Sequence, residues 1–399
     1  MFEMRHQVFA CAAVLVSALA SGGFVAHADH GRDDRDDRGD LDGRRARKVF
    51  VIAMENHNWT QPASTTSPMP IFMNPQAPFI NGLVNGTSGI SRQVAYATNY
   101  INAGVGVHPS EPNYIWAEAG TNFGVANDDT PYHADCSPDT VQSTDQHLTA
   151  FLTKARRTWR SYQEDTDVDF ASNVPLPRGS WTVPLFNLSG VFASGALNSF
   201  NYATQYNYAA KHNPMVFFTD TNGGCNTTAS NPLRTQYAPL QQLGLDLQND
   251  EVADYTWITP NQYNDMHTGL TNGYGGPVGS PNKGDRADIA QGDNFLARIV
   301  PLIMASKAYK DHGVIVLWWD ESEGGDTADF TLPFIIISKD AQENVKGLPY
   351  ASATEFSHSS TLRTIQEIFD VDPRAGYPWL GAAATAADLS ALFKPGSIK

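Results

Sequence analysis

Five short apolar runs are the sequence feature that most restricts the fold of this chain. They lie at residues 49–54, 215–218, 255–259, 314–319 and 334–338. Each run is rich in β-branched or aromatic side chains and is followed by polar residues. Such runs are typical of parallel strands that are buried on both faces, because those strands have no solvated face to alternate with.

Between these runs lie helix-like stretches, at residues 145–157, 240–248, 293–309 and 359–369. Alternating strands and helices predict a layered α/β fold. We therefore expect an α/β/α sandwich with a mainly parallel sheet, formed by a single domain over residues 48–399. Residues 121–199 are richer in Pro, Asn, Asp, Ser and Trp and are interpreted as an insertion near the carboxyl edge of the sheet.

The first residues have the pattern of an export signal. Arg5 precedes an apolar run at residues 8–20, and the small residues Ala26 and Ala28 follow. That run is too short to span a bilayer. We expect cleavage near Ala28, a location in the periplasm or the medium, and no transmembrane segment in the mature chain. The Asp- and Arg-rich residues 29–47 predict a solvated linker.

Cleavage near Ala28 would remove Cys11 and leave Cys136 and Cys225. A pair of cysteines in an exported chain favours a disulfide over two free thiols. Neither cysteine has a sequence environment that suggests an activated thiolate, so the pair is interpreted as structural.

The formal net charge is -15. Removing residues 1–28 leaves it unchanged, because Glu3 and Arg5 cancel. Such an acidic chain is a poor partner for nucleic acid. It can still act on anionic phosphate esters when a bound divalent cation supplies local positive charge.

The segment HPSEPNY, from His108 to Tyr114, places a serine between two prolines. Each proline fixes its own φ and biases the preceding residue toward extended backbone. We therefore expect His108 and Glu111 outside the helical region and Ser110 on a stiff turn, held as a nucleophile. An ordinary Pro-rich loop is the alternative.

Polar side chains follow the predicted strands, at the edge where parallel strands end and ligands collect. They are Glu55 and Asn56, Asp265 and His267, Asp320 and Glu321, with His358 at the start of the last predicted helix. Their oxygens suit Mg²⁺, Ca²⁺ or Mn²⁺, and Zn²⁺ also accepts carboxylate and imidazole. Any one of them is a common turn or cap residue, but together they predict a site for one or two divalent ions.

A metal site and a serine together indicate phosphoryl or sulfuryl transfer, because a cation lowers the pKa of the hydroxyl and fixes its oxygen for attack. A Ser-His-Asp hydrolase competes with this interpretation, but Ser110 lies in no G-x-S-x-G motif. A sulfatase is disfavoured, since no cysteine lies in a nucleophile motif and Ser110 lacks a Pro-x-Arg pattern. His108 is interpreted as a supporting residue.

Six segments occur in order: ENHNW (55–59), HPSEPNY (108–114), YAAKHNPMVFF (208–218), ITPNQYNDMH (258–267), WWDESEGG (318–325) and FSHSSTLRTIQEIF (356–369). This set resembles the phosphoesterase family of bacterial acid phosphatases and phospholipases C. That family resembles the alkaline phosphatase superfamily. The resemblance implies an alkaline phosphatase-like sandwich, a covalent phosphoenzyme on Ser or Thr, and a divalent metal.

The resemblance also implies roles for single residues. The metal ligands that it implies are Glu55, Asn56, Ser110, Asp265, His267, Asp320 and Glu321. Ser110 matches the nucleophile, and Asn113 resembles a donor to the phosphate oxygens. His358 matches a histidine of the superfamily's metal sites and is assigned a catalytic role. Lys211 and His212 are interpreted as substrate-binding residues, with a structural cap as the alternative for Lys211.

The chain departs from the two-zinc members of the superfamily, because it has Glu-Asn after the first strand and Asp-Glu late in the chain. This difference favours one hard cation or an asymmetric pair. Larger phospholipases C carry additional carboxy-terminal domains, and here the last motif lies near the end of the sequence. We expect a secreted acid phosphatase that hydrolyses small phosphomonoesters through a phosphoserine. The alternatives are a phospholipase C-type phosphodiesterase acting on a phospholipid headgroup, and an exported binding protein that holds a structural cation without catalysis.

Overall fold

The computed structural model describes residues 48–277 and 279–398. In chain order its strands are β1 (Lys48–Met54), β2 (Val94–Ala97), β3 (Trp159–Gln163), β4 (Val168–Asp169), β5 (Val174–Pro175), β6 (Leu188–Val191), β7 (Gln205–Tyr208), β8 (Tyr237–Pro239), β9 (Tyr255–Thr259), β10 (Gly313–Trp319), β11 (Phe334–Ser338) and β12 (Tyr350–Ser352). The predicted signal segment (1–28) and linker (29–47) lie outside the described residues.

Eight of these strands form one sheet, in the order β12-β2-β11-β10-β1-β9-β3-β8. Every neighbouring pair is parallel except the two that involve β11, so β11 runs against the other seven strands. The predicted mainly parallel sheet is therefore confirmed. The strands β4 and β5 form one separate two-stranded sheet, and β6 and β7 form another.

The α-helices are α1 (Pro78–Val84), α2 (Ser110–Ala119), α3 (Leu148–Lys154), α4 (Thr219–Asn222), α5 (Gln242–Asn249), α6 (Asp285–Ala305), α7 (Lys307–Lys310) and α8 (His358–Ile368). They fall into two packed groups. Helix α6 packs on α1 and α7, and α7 also packs on α5, while α2 packs on α8 and α3. Within the described residues, no helix is long and apolar enough to cross a membrane.

The apolar runs predict four of the eight central strands. Strands β1, β9, β10 and β11 are almost completely buried along their whole length, as continuous apolar runs require. Two details of the prediction are wrong. The strand β11 is antiparallel, and residues 215–218 fall mostly in a 3₁₀ turn over Pro214–Phe217. Proline at the start of that turn supplies no backbone N–H for a strand ladder.

The range 121–199 includes β3, which pairs with β9 and β8 inside the central sheet. The range also includes the two-stranded sheet β4–β5 and strand β6. The sequence of β3, WRSYQ, mixes polar and aromatic residues, so the search for apolar runs does not detect it. The boundaries predicted for a single domain with an insertion stay a prediction.

The predicted disulfide between Cys136 and Cys225 is present. It joins two chain positions that are 89 residues apart. In the chain-entropy model, closing a loop of this length stabilises a fold by roughly 4–5 kcal/mol. The bond fastens the loop before α3 to the loop after α4.

Candidate active site

Three of the predicted strand ends meet at one edge of the sheet. Met54, the last residue of β1, lies opposite Trp319, the last residue of β10, so Glu55 and Asp320 follow at the same level. The N–H of Asn56 donates to Asp320 Oδ1 at 3.2 Å. The N–H of Glu55 donates to the carbonyl of Asp265 at 2.9 Å. The carboxyl edge of the sheet therefore brings together Glu55, Asn56, Asp265 and Asp320, as expected for parallel strands.

Ser110 is the first residue of α2, which corrects the expectation of an isolated stiff turn. Glu111 is also helical, although Pro112 follows it. A proline is tolerated here because the N–H groups of a first helical turn have no partner within the helix. The N–H of Glu111 donates instead to Asp128 Oδ1 at 3.1 Å. A helix N-terminus also favours an anion beside Ser110.

The Ser110 hydroxyl lies between two carboxylates. Its Oγ is 3.0 Å from Glu55 Oε2 and 3.2 Å from Glu321 Oε1. Ser110 and Glu55 are buried, so these groups are shielded from water. A hydroxyl carries a single proton and donates it to one acceptor at a time. Ser110 therefore has two acceptors for its proton within hydrogen-bond distance.

Glu321 is held from its other side by His108. Nδ1 of His108 contacts Glu321 Oε2, and its Nε2 lies 3.0 Å from Asp326 Oδ1. The hydrogen bond with Glu321 raises the pKa of His108 to about 9, although burial opposes this shift. A cationic imidazole thus bridges two acids beside Ser110, and the supporting role of His108 stays a prediction.

Sequence reasoning missed Tyr114, which lies one helical turn after Ser110 on the same face of α2. Its hydroxyl donates to Glu55 Oε1, while Ser110 contacts the other oxygen of that carboxylate. Its ring stacks on His212, with 5.1 Å between ring centroids. Ser110 and Tyr114 are four residues apart in HPSEPNY, so the sequence places them on one face if this segment is helical. Tyr114 thereby fixes the orientation of Glu55.

We expect Tyr114→Phe to lower kcat about tenfold or more, because hydrogen bonds to charged groups are worth roughly 1.5–3 kcal/mol. The phenylalanine ring keeps the stack on His212 and removes only the hydroxyl. Steady-state kinetics with a chromogenic phosphomonoester measure the change.

Tyr162→Phe is the matched control for that substitution. Tyr162 is also buried, and its hydroxyl donates to Asp246 Oδ2 at 2.6 Å, away from Ser110 and Glu55. The control should lose stability but keep its kcat. Equal kcat values for the two variants would show that the Tyr114 hydroxyl has no effect on the site.

His212 lies between two of the buried acids. Its Nε2 is 3.2 Å from Glu55 Oε1 and its Nδ1 is 3.3 Å from Asp265 Oδ2. The distances are short, yet neither nitrogen has hydrogen-bond geometry. Burial lowers the pKa of His212 well below its usual range, and Lys211 and His267 add to this effect. His212 thus has one ring nitrogen toward each of two acids, and it is buried beneath the surface of the protein.

The three acids that follow the strands have strongly shifted pKa values. Burial raises the pKa values of Glu55, Asp265 and Asp320 well above their usual range. The neighbouring carboxylates Asp320 and Asp265 raise that of Glu55 further, while Lys211 and Tyr114 oppose the shift. Like charges in a buried site disfavour one another, so the pKa values of these acids favour their protonated forms in the absence of a cation.

Lys211 is an amine that acts electrostatically on this cluster. Its Nζ donates to Asp128 Oδ2 at 2.8 Å. Burial disfavours its charged form, but Glu55 and Asp128 outweigh that effect and raise the pKa of Lys211. The amine is therefore positively charged and pairs with Asp128 at the border of the acidic cluster.

The chemistry of the donor set fits a divalent cation. Oδ1 of Asn56, Oδ2 of Asp265 and Oδ2 of Asp320 are buried and have no hydrogen-bond partner. Buried charges are normally paired or bind metal. Across residues 48–277 and 279–398, no set of three or more His, Cys, Asp and Glu side chains already has the geometry to hold a metal ion. The fit of these residues to a divalent cation therefore depends on the negative charge of the buried acids and on their unpartnered oxygens.

The remaining predicted residues lie near the site with other partners. Nδ2 of Asn113 donates to the carbonyls of Val107 and Pro109, at 3.0 and 3.3 Å. The ring of His267 lies 5.9 Å from that of His212, and burial lowers its pKa to about 4. His358 is buried edge-on against Trp318, and burial lowers its pKa to about 3. Their predicted roles stay predictions.

Comparison with known proteins gives a family match over most of the chain. The model described as "Phosphoesterase family" matches residues 38–372. A phosphatidylinositol-3-phosphatase from Mycobacterium tuberculosis is 26% identical over 82% of this chain and 79% of its own length. A phosphate-repressible acid phosphatase from Penicillium chrysogenum is 22% identical over 76% of this chain. The chain spans 57% of that fungal protein and 40% of a probable acid phosphatase from Kluyveromyces lactis.

The solved structures that match this chain are more distant in sequence. A protein of the alkaline phosphatase superfamily from Vibrio parahaemolyticus is 13% identical, with a TM-score of 0.43 over 84% of this chain and 70% of that chain. A sulfatase from Pseudoalteromonas sp. is 11% identical, with a TM-score of 0.41 over 88% of this chain and 74% of that chain.

Proposed function

Because this chain belongs to the Phosphoesterase family and is thereby a hydrolase of phosphoric esters, we propose that it is a metal-dependent acid phosphatase acting through a phosphoserine at Ser110. The observation that carries the proposal is the position of Ser110. It begins α2 at the carboxyl edge of the sheet, with its hydroxyl between Glu55 and Glu321.

In this mechanism Oγ of Ser110 forms a bond to phosphorus while the bond from phosphorus to the ester oxygen breaks on the opposite side, and the departing oxygen takes a proton from water. Glu321 Oε1 accepts the hydroxyl proton, and His108 holds the other oxygen of Glu321 in place. Tyr114 holds Glu55 toward Ser110. The hydroxide formed from that water then bonds to phosphorus, the bond to Oγ of Ser110 breaks, and Glu321 returns the proton to Oγ. Positioning and fixed charge supply most of the rate enhancement in reactions of this kind.

Glu55, Asn56, Asp265 and Asp320 are the side chains that would hold a divalent ion, one of Mg²⁺, Ca²⁺, Mn²⁺ or Zn²⁺. Such an ion supplies positive charge that favours the ionised serine and offsets the charge of the phosphoryl group. Ser110, Glu321 and His267 remain further candidate ligands. The contact between Glu321 Oε1 and Ser110 Oγ, at 3.2 Å, supports its role as a proton acceptor.

Phosphomonoesters are the proposed substrate class, with export after cleavage near Ala28. The relatives described above are named as phosphatases, and one of them is named for a phosphoinositide. Small phosphate esters and the phosphorylated headgroup of a lipid share the same monoester chemistry. Asn113 and Lys211 are proposed to contact the phosphate oxygens, for which Asn113 would exchange its present carbonyl partners.

The direct test is to quench the wild-type protein with acid during turnover of a phosphomonoester and to measure its intact mass. We expect a phosphoryl adduct that peptide mapping places on Ser110. A protein that turns over substrate without an adduct on Ser110 in any quench would contradict the phosphoserine. A bis-ester substrate run in parallel distinguishes the phosphodiesterase alternative, and an inactive protein that still binds a cation would favour the binding-protein alternative.

A further inference from the structure

Glu164 is a fully buried carboxylate held by amide groups, just beyond the end of β3. Its side chain is 0% exposed. Oε1 accepts from Nδ2 of Asn198 at 2.6 Å and from Nδ2 of Asn264 at 2.8 Å. Oε2 accepts from Nδ2 of Asn264 and from the N–H of Asn261, both at 2.9 Å. Both oxygens are therefore fully used, so Glu164 is not itself a free metal ligand.

Two of the three residues that donate to Glu164, Asn261 and Asn264, belong to the loop after β9, which carries Asp265. The carbonyl of Asn261 accepts the N–H of Asp265 at 3.0 Å. The carbonyl of Asp265 in turn accepts the N–H of Glu55 at 2.9 Å. A continuous series of hydrogen bonds thus runs from Glu164 through Asn261 to Asp265 and Glu55.

The far side of the loop is fastened in the same way. Oδ1 of Asn264 accepts from Nδ2 of Asn201 at 3.0 Å and from Nε2 of Gln291 at 3.2 Å. Oδ1 of Asp265 accepts the N–H of His267 at 2.8 Å, which leaves Oδ2 unpartnered and facing His212. The loop geometry therefore decides which oxygen of Asp265 faces the site.

Within the described residues, the hydrogen-bond partners of Glu164 are neutral amides, and no Lys, Arg or His pairs with it. Burying a carboxylate is costly even when it accepts several hydrogen bonds. A buried acid that adds little net stability but defines the geometry of a neighbouring loop fits a role in orientation.

We propose that Glu164 is a positioning residue that sets the loop at 261–267 and thereby aims Oδ2 of Asp265 into the acidic cluster. The inference rests on the proposed function, in which Asp265 helps to hold the cation. Residues that orient metal ligands typically change metal affinity or activity about 10–100-fold when they are substituted.

The test is Glu164→Gln in the full protein, which turns one acceptor oxygen into an N–H₂ group that faces amide donors. We expect the affinity for Mn²⁺, titrated on the protein without substrate, and kcat each to fall about 10–100-fold. The KM for the phosphomonoester should change little, because Asp265 acts on the cation and not on the substrate. Glu164→Asp should show the same pattern, since its shorter side chain cannot reach every donor.

Asp293→Asn is the matched control. Asp293 is 4% exposed and accepts the N–H groups of Phe79 and Ile80, at 3.0 and 2.8 Å, at the start of α1. It should lose thermal stability yet keep wild-type Mn²⁺ affinity and kcat. Glu164 variants that are destabilised like Asp293→Asn but keep wild-type Mn²⁺ affinity would overturn the proposal.

Failure of the proposed function would be recognised separately. In that case the wild-type protein would not turn over the phosphomonoester, or its turnover would be unchanged by Ser110→Ala. The Mn²⁺ titration would then still decide the role of Glu164. If Glu164→Gln does not fold, Glu164→Asp provides the same comparison.

Discussion

Ser110→Ala should lower kcat on a chromogenic phosphomonoester by at least about a thousandfold, because removing a covalent nucleophile is among the most damaging substitutions in an enzyme. The residual rate would come from binding and fixed charge alone. Substitution removes one buried hydroxyl at the first position of α2, where the backbone has no intrahelical partner to lose. We therefore expect near-native thermal stability, and circular dichroism with thermal unfolding checks this.

Ser306→Ala is the control for Ser110→Ala. Ser306 precedes α7, and its Oγ accepts the N–H of Tyr309 at 3.1 Å, on an element that contributes no group to the site. The control should lose about 1 kcal/mol of stability, as a helix cap does, and keep full activity. Turnover of Ser110→Ala near the wild-type rate would rule out Ser110 as the nucleophile.

Removing divalent cations should lower activity about a hundredfold or more, since a bound cation contributes several kcal/mol of charge stabilisation. Metal analysis of the chelator-treated protein confirms removal, and adding back Mg²⁺, Ca²⁺, Mn²⁺ and Zn²⁺ one at a time identifies the active ion. Stability should fall as well, by about 2.7 kcal/mol relative to protein held at a hundred times the dissociation constant. Full activity in protein shown to be metal-free would contradict the assignment.

The metal-free protein should also respond to pH in a defined direction. In the folded chain the pKa values of Glu55, Asp265 and Asp320 are raised, chiefly by burial. The folded state then holds protons more tightly than the unfolded state, so this contribution is complete below about pH 4 and is lost as the pH rises. Added cation should offset the loss, because it neutralises the same carboxylates once they are ionised.

Thermal unfolding between pH 4 and pH 7, with and without cation, measures this response. Asp320→Asn removes one of the three acids, so it should show a weaker fall with pH and a smaller effect of cation. Asp293→Asn, which alters a buried acid outside the cluster, should keep the full effect of cation. Equal cation effects in both variants would show that the cation binds elsewhere.

How much of the fold was predictable depends on the strand. The continuous apolar runs of β1, β9, β10 and β11 follow from burial on both faces. The strands β2, β3 and β8 are shorter or partly polar although they are mostly buried, and β12 is a short edge strand that is only partly buried. The apolar pattern could not predict that β11 runs antiparallel to its neighbours, because a buried antiparallel strand can have the same composition as a parallel one.

Some residues of the candidate site were likewise predictable from the sequence, and others were not. Glu55 and Asp320 directly follow buried strands, and Asp265 lies in the loop after β9, so the rule that the carboxyl ends of parallel strands share one edge was sufficient to place these acids together. Glu164 follows the same rule, but it was missed because β3 was not recognised as a strand. Tyr114 and His212 gain their contacts through α2 and the loop near residue 212, whose positions depend on long-range packing.

The sequence by itself determined the chemistry available at the sheet edge: a serine between prolines, acids at strand ends, and the strands that carry them. These features are local, since burial and strand formation act over a few neighbouring residues. Only the tertiary structure decided that Ser110 begins a helix, that Glu55 and Glu321 share its hydroxyl, and that Tyr114 and His212 surround Glu55. Such contacts join residues far apart in the chain, so they depend on how the helices pack over the sheet.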